Sequence, residues 1–345
     1  MSEISSLVRK NILALKPYSC ARDEFSGEAD AYLDANEIPL NAPYNRYPDP
    51  LQWEVKQKIA AIKHTQPEQL FLGNGSDEAI DLVFRVFCEP KEDNAVAIDP
   101  TYGMYQVCAD INNVAYRKVR LNNGYTLDSK KVMAATDDKT KLLFLCSPNN
   151  PSANLLNKNE ITFLLDNFQG ITIIDEAYID FSPEESWLSK LDKYPKLIVF
   201  QTFSKAWGLA GVRLGMAFAL PEIIQLFNKV KYPYNINILT QRLILNELTH
   251  VQRKNEWVEM ILKERNTLVN RLSQLSVVEA VYPSDANFLL VKVNDANAVY
   301  HYLINNKIVV RNRNTVSLCE GCLRITVGTA SENQLLLNAL AHYLM

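Results

Sequence analysis

The chain has 345 residues, with 36 basic and 39 acidic side chains and a formal net charge of −3. That length suits about two domains of roughly 150 residues, and the balanced charge, with no long basic run, lacks the electrostatic footprint of a nucleic-acid binder. No apolar run reaches membrane-spanning length, so no membrane partner is expected and small molecules are.

At the N-terminus, Ile4, Leu7, Val8, Ile12 and Leu13 have helical spacing but are interrupted by Arg9, Lys10 and Asn11, unlike a signal-peptide core. Residues 1–45 read as an arm. The proline- and asparagine-rich stretch from Ile38 to Pro50 cannot form a regular helix or a central strand. Residues 46–240 alternate β-type runs (70–72, 95–98, 142–146, 171–174, 197–200 and 216–220) with helical stretches. This pattern predicts an α/β fold, a large domain whose mostly parallel sheet is flanked by helices. Residues 237–275 read as long helix, and residues 241–345 as a smaller α+β domain with strands at 277–281, 287–293 and 323–327 and a last helix at 332–343. In such a sheet the functional residues belong in loops beyond the strands' carboxyl ends.

Several motifs fall there. Gly73-Asn74-Gly75-Ser76-Asp77-Glu78 follows a strand and opens a helix, so free backbone N–H groups would face an anion such as phosphate; a plain helix cap by Ser76 or Asp77 is the simpler alternative. Glu78 stands where a dinucleotide fingerprint needs glycine, which disfavours a nicotinamide enzyme. Asp175 ends the apolar run 171–174, and a buried aspartate there needs a positive partner. It is no Walker-B residue, because no phosphate-binding G-x-x-x-x-G-K-[ST] loop occurs. From Thr202 to Gly215 one lysine, Lys205, sits among hydroxyls and three glycines, with Arg213 eight residues on. A lysine amine is nucleophilic only when neutral, so such a lysine must lie where its charge is disfavoured. Thr202 to Lys205 also mimics S-x-x-K, but the S-D-N and K-T-G partners of a serine-lysine acyl enzyme are absent.

The six cysteines are scattered, several in apolar runs, as expected for reduced thiols of a cytoplasmic protein. Cys319-Glu320-Gly321-Cys322 is a single C-x-x-C, an ordinary loop more readily than a redox or metal half-site. The histidines at 64, 250, 301 and 342 share no ligand spacing, so no metal is expected.

The lysine segment resembles the signature of fold-type I, pyridoxal-phosphate-dependent aminotransferases. Ser147-Pro148-Asn149-Asn150-Pro151 is similar to their asparagine-proline turn, and Tyr102 in Asp99-Pro100-Thr101-Tyr102-Gly103 to their ring-stacking aromatic. The resemblance spans nearly the whole chain. It implies that Lys205 carries pyridoxal 5'-phosphate as a Schiff base and that Asp175 pairs with the pyridinium nitrogen. Asn150 and Tyr178 would serve the phenolic oxygen, and Gly75, Ser76, Asp77, Thr202, Ser204 and Arg213 the phosphate end. The family's common Thr-Gly after the turn is Ser152-Ala153 here.

Four further segments resemble the histidinol-phosphate aminotransferase family: 16–22, Leu33-Asp34-Ala35-Asn36-Glu37, Arg46-Tyr47-Pro48-Asp49, and Val310-Arg311-Asn312-Arg313 leading into 318–329. Ala330 replaces that family's frequent arginine, and Pro39 and Asn41 make the Glu37 loop unusual. The resemblance implies a homodimer in which Tyr47 reaches the partner's cofactor phosphate, with Tyr18 and Asn36 lining the substrate pocket and Arg311 and Arg324 binding the substrate's anionic end. Its substrates would be histidinol phosphate and glutamate or 2-oxoglutarate. A threonine-phosphate decarboxylase and an aromatic amino acid aminotransferase remain open on the same fold. A cofactor-sensing regulator would be expected to carry a basic helix-turn-helix segment, and none occurs.

Overall fold

The computed structural model describes residues 3–18 and 29–343, so Ser19 to Arg22 of the first family-like segment, including Cys20, lie outside the described residues. Seven strands build the larger sheet: β1 (Leu70–Asn74), β2 (Asn94–Asp99), β3 (Ala115–Arg120), β4 (Thr140–Cys146), β5 (Ile171–Asp175), β6 (Leu197–Thr202) and β7 (Leu214–Phe218). Their spatial order is β1-β7-β6-β5-β4-β2-β3, and only β7 runs antiparallel to its neighbours. The strand period of two sorts side chains to two faces. Ala95, Ala97, Leu142, Phe144, Ile171 and Ile173 enter one core layer, while Val96, Ile98, Leu143, Leu145 and Ile174 enter the other. Because both faces are buried, these strands read as continuous apolar runs, and each large side chain stabilises the fold by about 1.5–3 kcal/mol.

Helices cover both layers. On one face lie α3 (Ser76–Phe87), α4 (Met104–Ile111) and α7 (Pro221–Val230), and on the other α2 (Trp53–Lys63), α5 (Ser129–Ala134) and α6 (Lys158–Asn167). The N-terminal stripe is only partly helical. Within it α1 is confined to Lys10–Ala14, while Ile4, Val8 and Ile12 are buried against the α3 layer.

The predicted long helix at 237–275 is two helices, α8 (Ile238–Glu247) and α9 (Val251–Leu272), separated by a 3-10 turn at Leu248–His250. Leu248 is buried there in the large core, so apolar periodicity continues across the bend and conceals it. The smaller sheet comprises β8 (Val278–Val281), β9 (Phe288–Val293), β10 (Arg311–Asn312) and β11 (Cys322–Thr326), in the order β10-β11-β9-β8 and all antiparallel. It packs with α9, α10 (Ala296–Asn305) and α11 (Ala330–His342) around a separate core. A capping box between Thr329 and Glu332 starts α11 two residues before the sequence-based boundary.

Candidate active site

The carboxyl ends of β1, β4, β5 and β6 and the strand pair β10–β11 surround a cleft of about 710 Å3. Lys205, Asp175, Tyr178, Asn150, Tyr102, Gly75, Ser76, Asp77, Thr202, Ser204, Arg213, Arg311 and Arg324 all line it. Tyr18, Asn36 and Tyr47 do not. Tyr18 and Tyr47 are exposed, at 72% and 50% of their full surface, and Tyr47 stacks on Tyr234 at 4.4 Å. Asn36 is exposed with a left-handed φ of 55°.

The anion seat forms where β1 runs into α3. Gly75 is the N-cap residue, with φ +71° and no side-chain cap, so neither Ser76 nor Asp77 caps the helix. The first N–H groups of α3 are therefore free of a side-chain cap and face the cleft. A Cβ on Gly75 would lie 2.6 Å from Arg213 Nη2, so glycine is needed both for the backbone and for the arginine's approach. The Gly75 N–H donates to the Arg213 carbonyl at 2.8 Å, which ties seat and arginine together. Asp77 accepts from Tyr102 Oη at 3.0 Å and from Arg213 Nη2 at 3.3 Å.

The floor is Asp175, fully buried at the end of β5. Its Oδ2 accepts from Tyr105 Oη at 2.6 Å and its Oδ1 from the Ala177 N–H at 3.1 Å. Burial raises its pKa, and the Tyr105 hydrogen bond opposes the rise. No ion pair is made by Asp175 among the described residues, so a cationic ligand atom would find an uncompensated carboxylate. Tyr105 had no place in the sequence reading. Its apolar helical spacing in α4 resembles ordinary core, and only the fold reveals what its hydroxyl meets.

Lys205 keeps access to solvent in the cleft, yet the walls depress its pKa, first by desolvation and then through Arg324 and Arg213 against the opposing pull of Asp175. Its Nζ lies 5.6 Å from the Tyr178 ring centroid. Such a shift favours the neutral amine needed for attack on a carbonyl. Asn150 Nδ2 donates to Tyr178 Oη at 3.4 Å, and Arg324 Nη1 donates to Asn150 Oδ1 at 2.7 Å. Helix-end N–H groups and an arginine for a phosphate, a buried carboxylate for a ring cation and an activated amine for a carbonyl together fit pyridoxal phosphate.

The sequence matches the family described as aminotransferase class I and II over residues 26–340. The chain belongs to that family. A histidinol-phosphate aminotransferase of Bacteroides thetaiotaomicron is 56% identical over 344 residues, covering 99% of each chain. Among solved structures, the histidinol-phosphate aminotransferase from Clostridium acetobutylicum superposes with a TM-score of 0.80 at 24% identity, over 86% of this chain and 90% of that one. The L-threonine-O-3-phosphate decarboxylase from Porphyromonas gingivalis reaches 0.74 at 22% identity, over 87% and 91%. At those identities the two structures establish the aminotransferase's fold and nothing finer.

Two remaining expectations concern the edges of the site. Cys319 and Cys322 are free and wholly buried, and burial raises their thiols to about 11 and about 12, so neither presents a ready thiolate. Among the described residues no cluster of three or more potential ligands could hold a metal, and no helix is long and apolar enough to cross a membrane.

Proposed function

We propose that this aminotransferase interconverts L-histidinol phosphate plus 2-oxoglutarate with imidazole acetol phosphate plus L-glutamate, a step of histidine biosynthesis. The observation that carries the reading is a lysine of lowered pKa set between a buried carboxylate and a wall of arginines that makes no ion pair among the described residues. The relationship at 56% identity supports the same substrate. Pyridoxal phosphate, the cofactor, supplies a carbonyl that condenses with amines and a ring that withdraws electrons from the substrate's Cα.

The chain's own residues do the rest. Ser76, Ser204, Arg213 and the N–H groups opening α3 hold the cofactor phosphate, with Gly75, Asp77 and Thr202 shaping that seat. Asp175 would hold positive charge on the cofactor's ring nitrogen, Asn150 and Tyr178 would hydrogen-bond its phenolic oxygen, and Tyr102 would cover a ring face. Lys205, as a neutral amine, would move the proton from the substrate's Cα. Arg311 and Arg324 present planar forks that accept a carboxylate or a phosphate, as a two-substrate cycle requires.

A homodimer completes the site, with Tyr47 reaching the second copy's cofactor phosphate and Tyr18 and Asn36 closing its substrate pocket. Leu33, Ile38 and Leu40, exposed at 93%, 64% and 68%, support an apolar arm surface awaiting cover. The five buried free cysteines among the described residues support a cytoplasmic setting.

A single-turnover absorbance trace of the cofactor-loaded protein tests the reading. Histidinol phosphate should discharge the visible band and 2-oxoglutarate restore it. Release of carbon dioxide from O-phosphothreonine, without a response to histidinol phosphate, would replace transamination by decarboxylation.

A further inference from the structure

The cleft holds five cationic side chains against two carboxylates. Arg213 is paired with Asp77, and Asp175 lies beneath Lys205 at the buried floor. That leaves Arg311, Arg313 and Arg324 on the small-domain wall, and none of them forms an ion pair among the described residues. Their clustering follows from the ladder. Arg311 is the Cα partner of Arg324 across β10–β11, and Arg313, just beyond the end of β10, lines the same cleft. The Arg313 N–H still donates to the Cys322 carbonyl at 2.9 Å, and its carbonyl accepts from the Val316 N–H at 2.9 Å, so its backbone is held in place.

Directly opposed like charges disfavour a sheet pair, and a buried donor without an acceptor costs stability. Arg311 and Arg324 incur the first penalty, and the second falls on Arg313. Its Nε is buried with no hydrogen-bond partner, and burial, Arg324 and Arg311 together depress its pKa to about 10. An arginine with a purely architectural role looks different in this fold: Arg265 donates from Nη1 to the Ala286 carbonyl at 2.7 Å and to the Phe181 carbonyl at 3.4 Å. Arg324 is already committed through Nη1 to Asn150, whereas Arg313 makes no side-chain hydrogen bond among the described residues.

We propose that Arg313 is a third anion-binding side chain of this cleft, required chiefly for the phosphate monoester substrate. The proposal rests on the substrate assignment above and deepens it. Glutamate carries its two negative charges on separate carboxylates, and one planar fork satisfies each. A phosphate monoester concentrates a charge of about −1.5 to −2 and three acceptor oxygens at one end, which calls for converging donors. A third arginine lining the same cleft supplies them.

The test compares cofactor-loaded wild type, Arg313→Gln and Arg313→Lys in single turnovers with histidinol phosphate and with glutamate. Inhibition of the glutamate reaction by inorganic phosphate is measured in parallel. The second-order constant of Arg313→Gln should fall by about 10- to 100-fold more with histidinol phosphate than with glutamate, as expected for losing hydrogen bonds to a charged group. Phosphate inhibition should weaken in step, and lysine should recover part of both. Equal losses with the two substrates, or no loss, would overturn the proposal. If wild type reacts with glutamate and not with histidinol phosphate, the substrate assignment fails instead, and phosphate inhibition still decides whether Arg313 binds the anion.

Discussion

The two walls of the cleft are built on opposite terms. On the large-domain side both carboxylates have protein partners, Asp77 with Tyr102 and Arg213, and Asp175 with Tyr105 and the Ala177 N–H. On the small-domain side three arginines line the cleft without a counter-charge among the described residues. The contrast teaches that one wall holds its carboxylates in place before a ligand arrives, while the other holds charge that an anionic ligand would neutralise. Residues of the first wall should therefore matter for every substrate, as should Arg311 and Arg324, whereas Arg313 should matter chiefly for the phosphate monoester.

Removing the amine should break catalysis without regard to substrate. Lys205→Ala is expected to lower single-turnover rates by roughly 10^4-fold or more with both histidinol phosphate and glutamate, with an unchanged circular dichroism spectrum. A loss confined to one substrate would erase the contrast between the walls.

Asp175→Asn should cost about 100-fold in rate with both substrates. In the cofactor-free protein it should act the other way on stability. The raised pKa of Asp175 means that the folded state favours its protonated form, so its contribution is fully present at acid pH and is lost as pH rises through that raised value. The asparagine variant should therefore melt a few degrees higher at neutral pH, roughly 2–4 °C per kcal/mol regained. The gap should close below the ordinary carboxylate range, and a gap that widens in acid would contradict the burial argument.

Gly75→Ala should have a smaller effect, destabilising the fold by about 1–3 kcal/mol because its positive φ, with ψ at 169°, is a conformation nearly confined to glycine. The added Cβ displaces Arg213, so cofactor affinity should fall, with a half-reaction at saturating cofactor much less affected. Chemical denaturation and a cofactor titration separate these contributions.

The buried strands of the large sheet were legible because both of their faces lie in apolar cores. The strand β3 escaped notice for the converse reason. Ala115-Tyr116-Arg117-Lys118-Val119-Arg120 lies at the sheet's edge and carries three charged residues that break up its apolar run, and these positive side chains suit an edge that must resist further pairing. The strand β10 has two residues, too few for any periodicity. Glycine turns, Asp175 and Lys205 could be located because they sit where strands end. The Asp77–Arg213 pair could not, since its members are 136 positions apart in sequence and meet only because β7 lies beside β1. Arg313 escaped for a related reason: its significance is the acceptor it lacks, and a sequence does not register missing partners.

The Arg324–Asn150 hydrogen bond spans the seam between the two sheets, and it does not do so alone. Tyr125 Oη donates to the Leu318 carbonyl at 2.7 Å, and Asp285 accepts from the Leu155 N–H at 2.8 Å. These bonds fix the arginine wall to loops at the carboxyl end of the large sheet, the same end that presents Lys205. The spacing between the Lys205 amine and the arginine wall is therefore set by the fold, so a ligand meets an anion seat already in position and need not draw the two domains together itself.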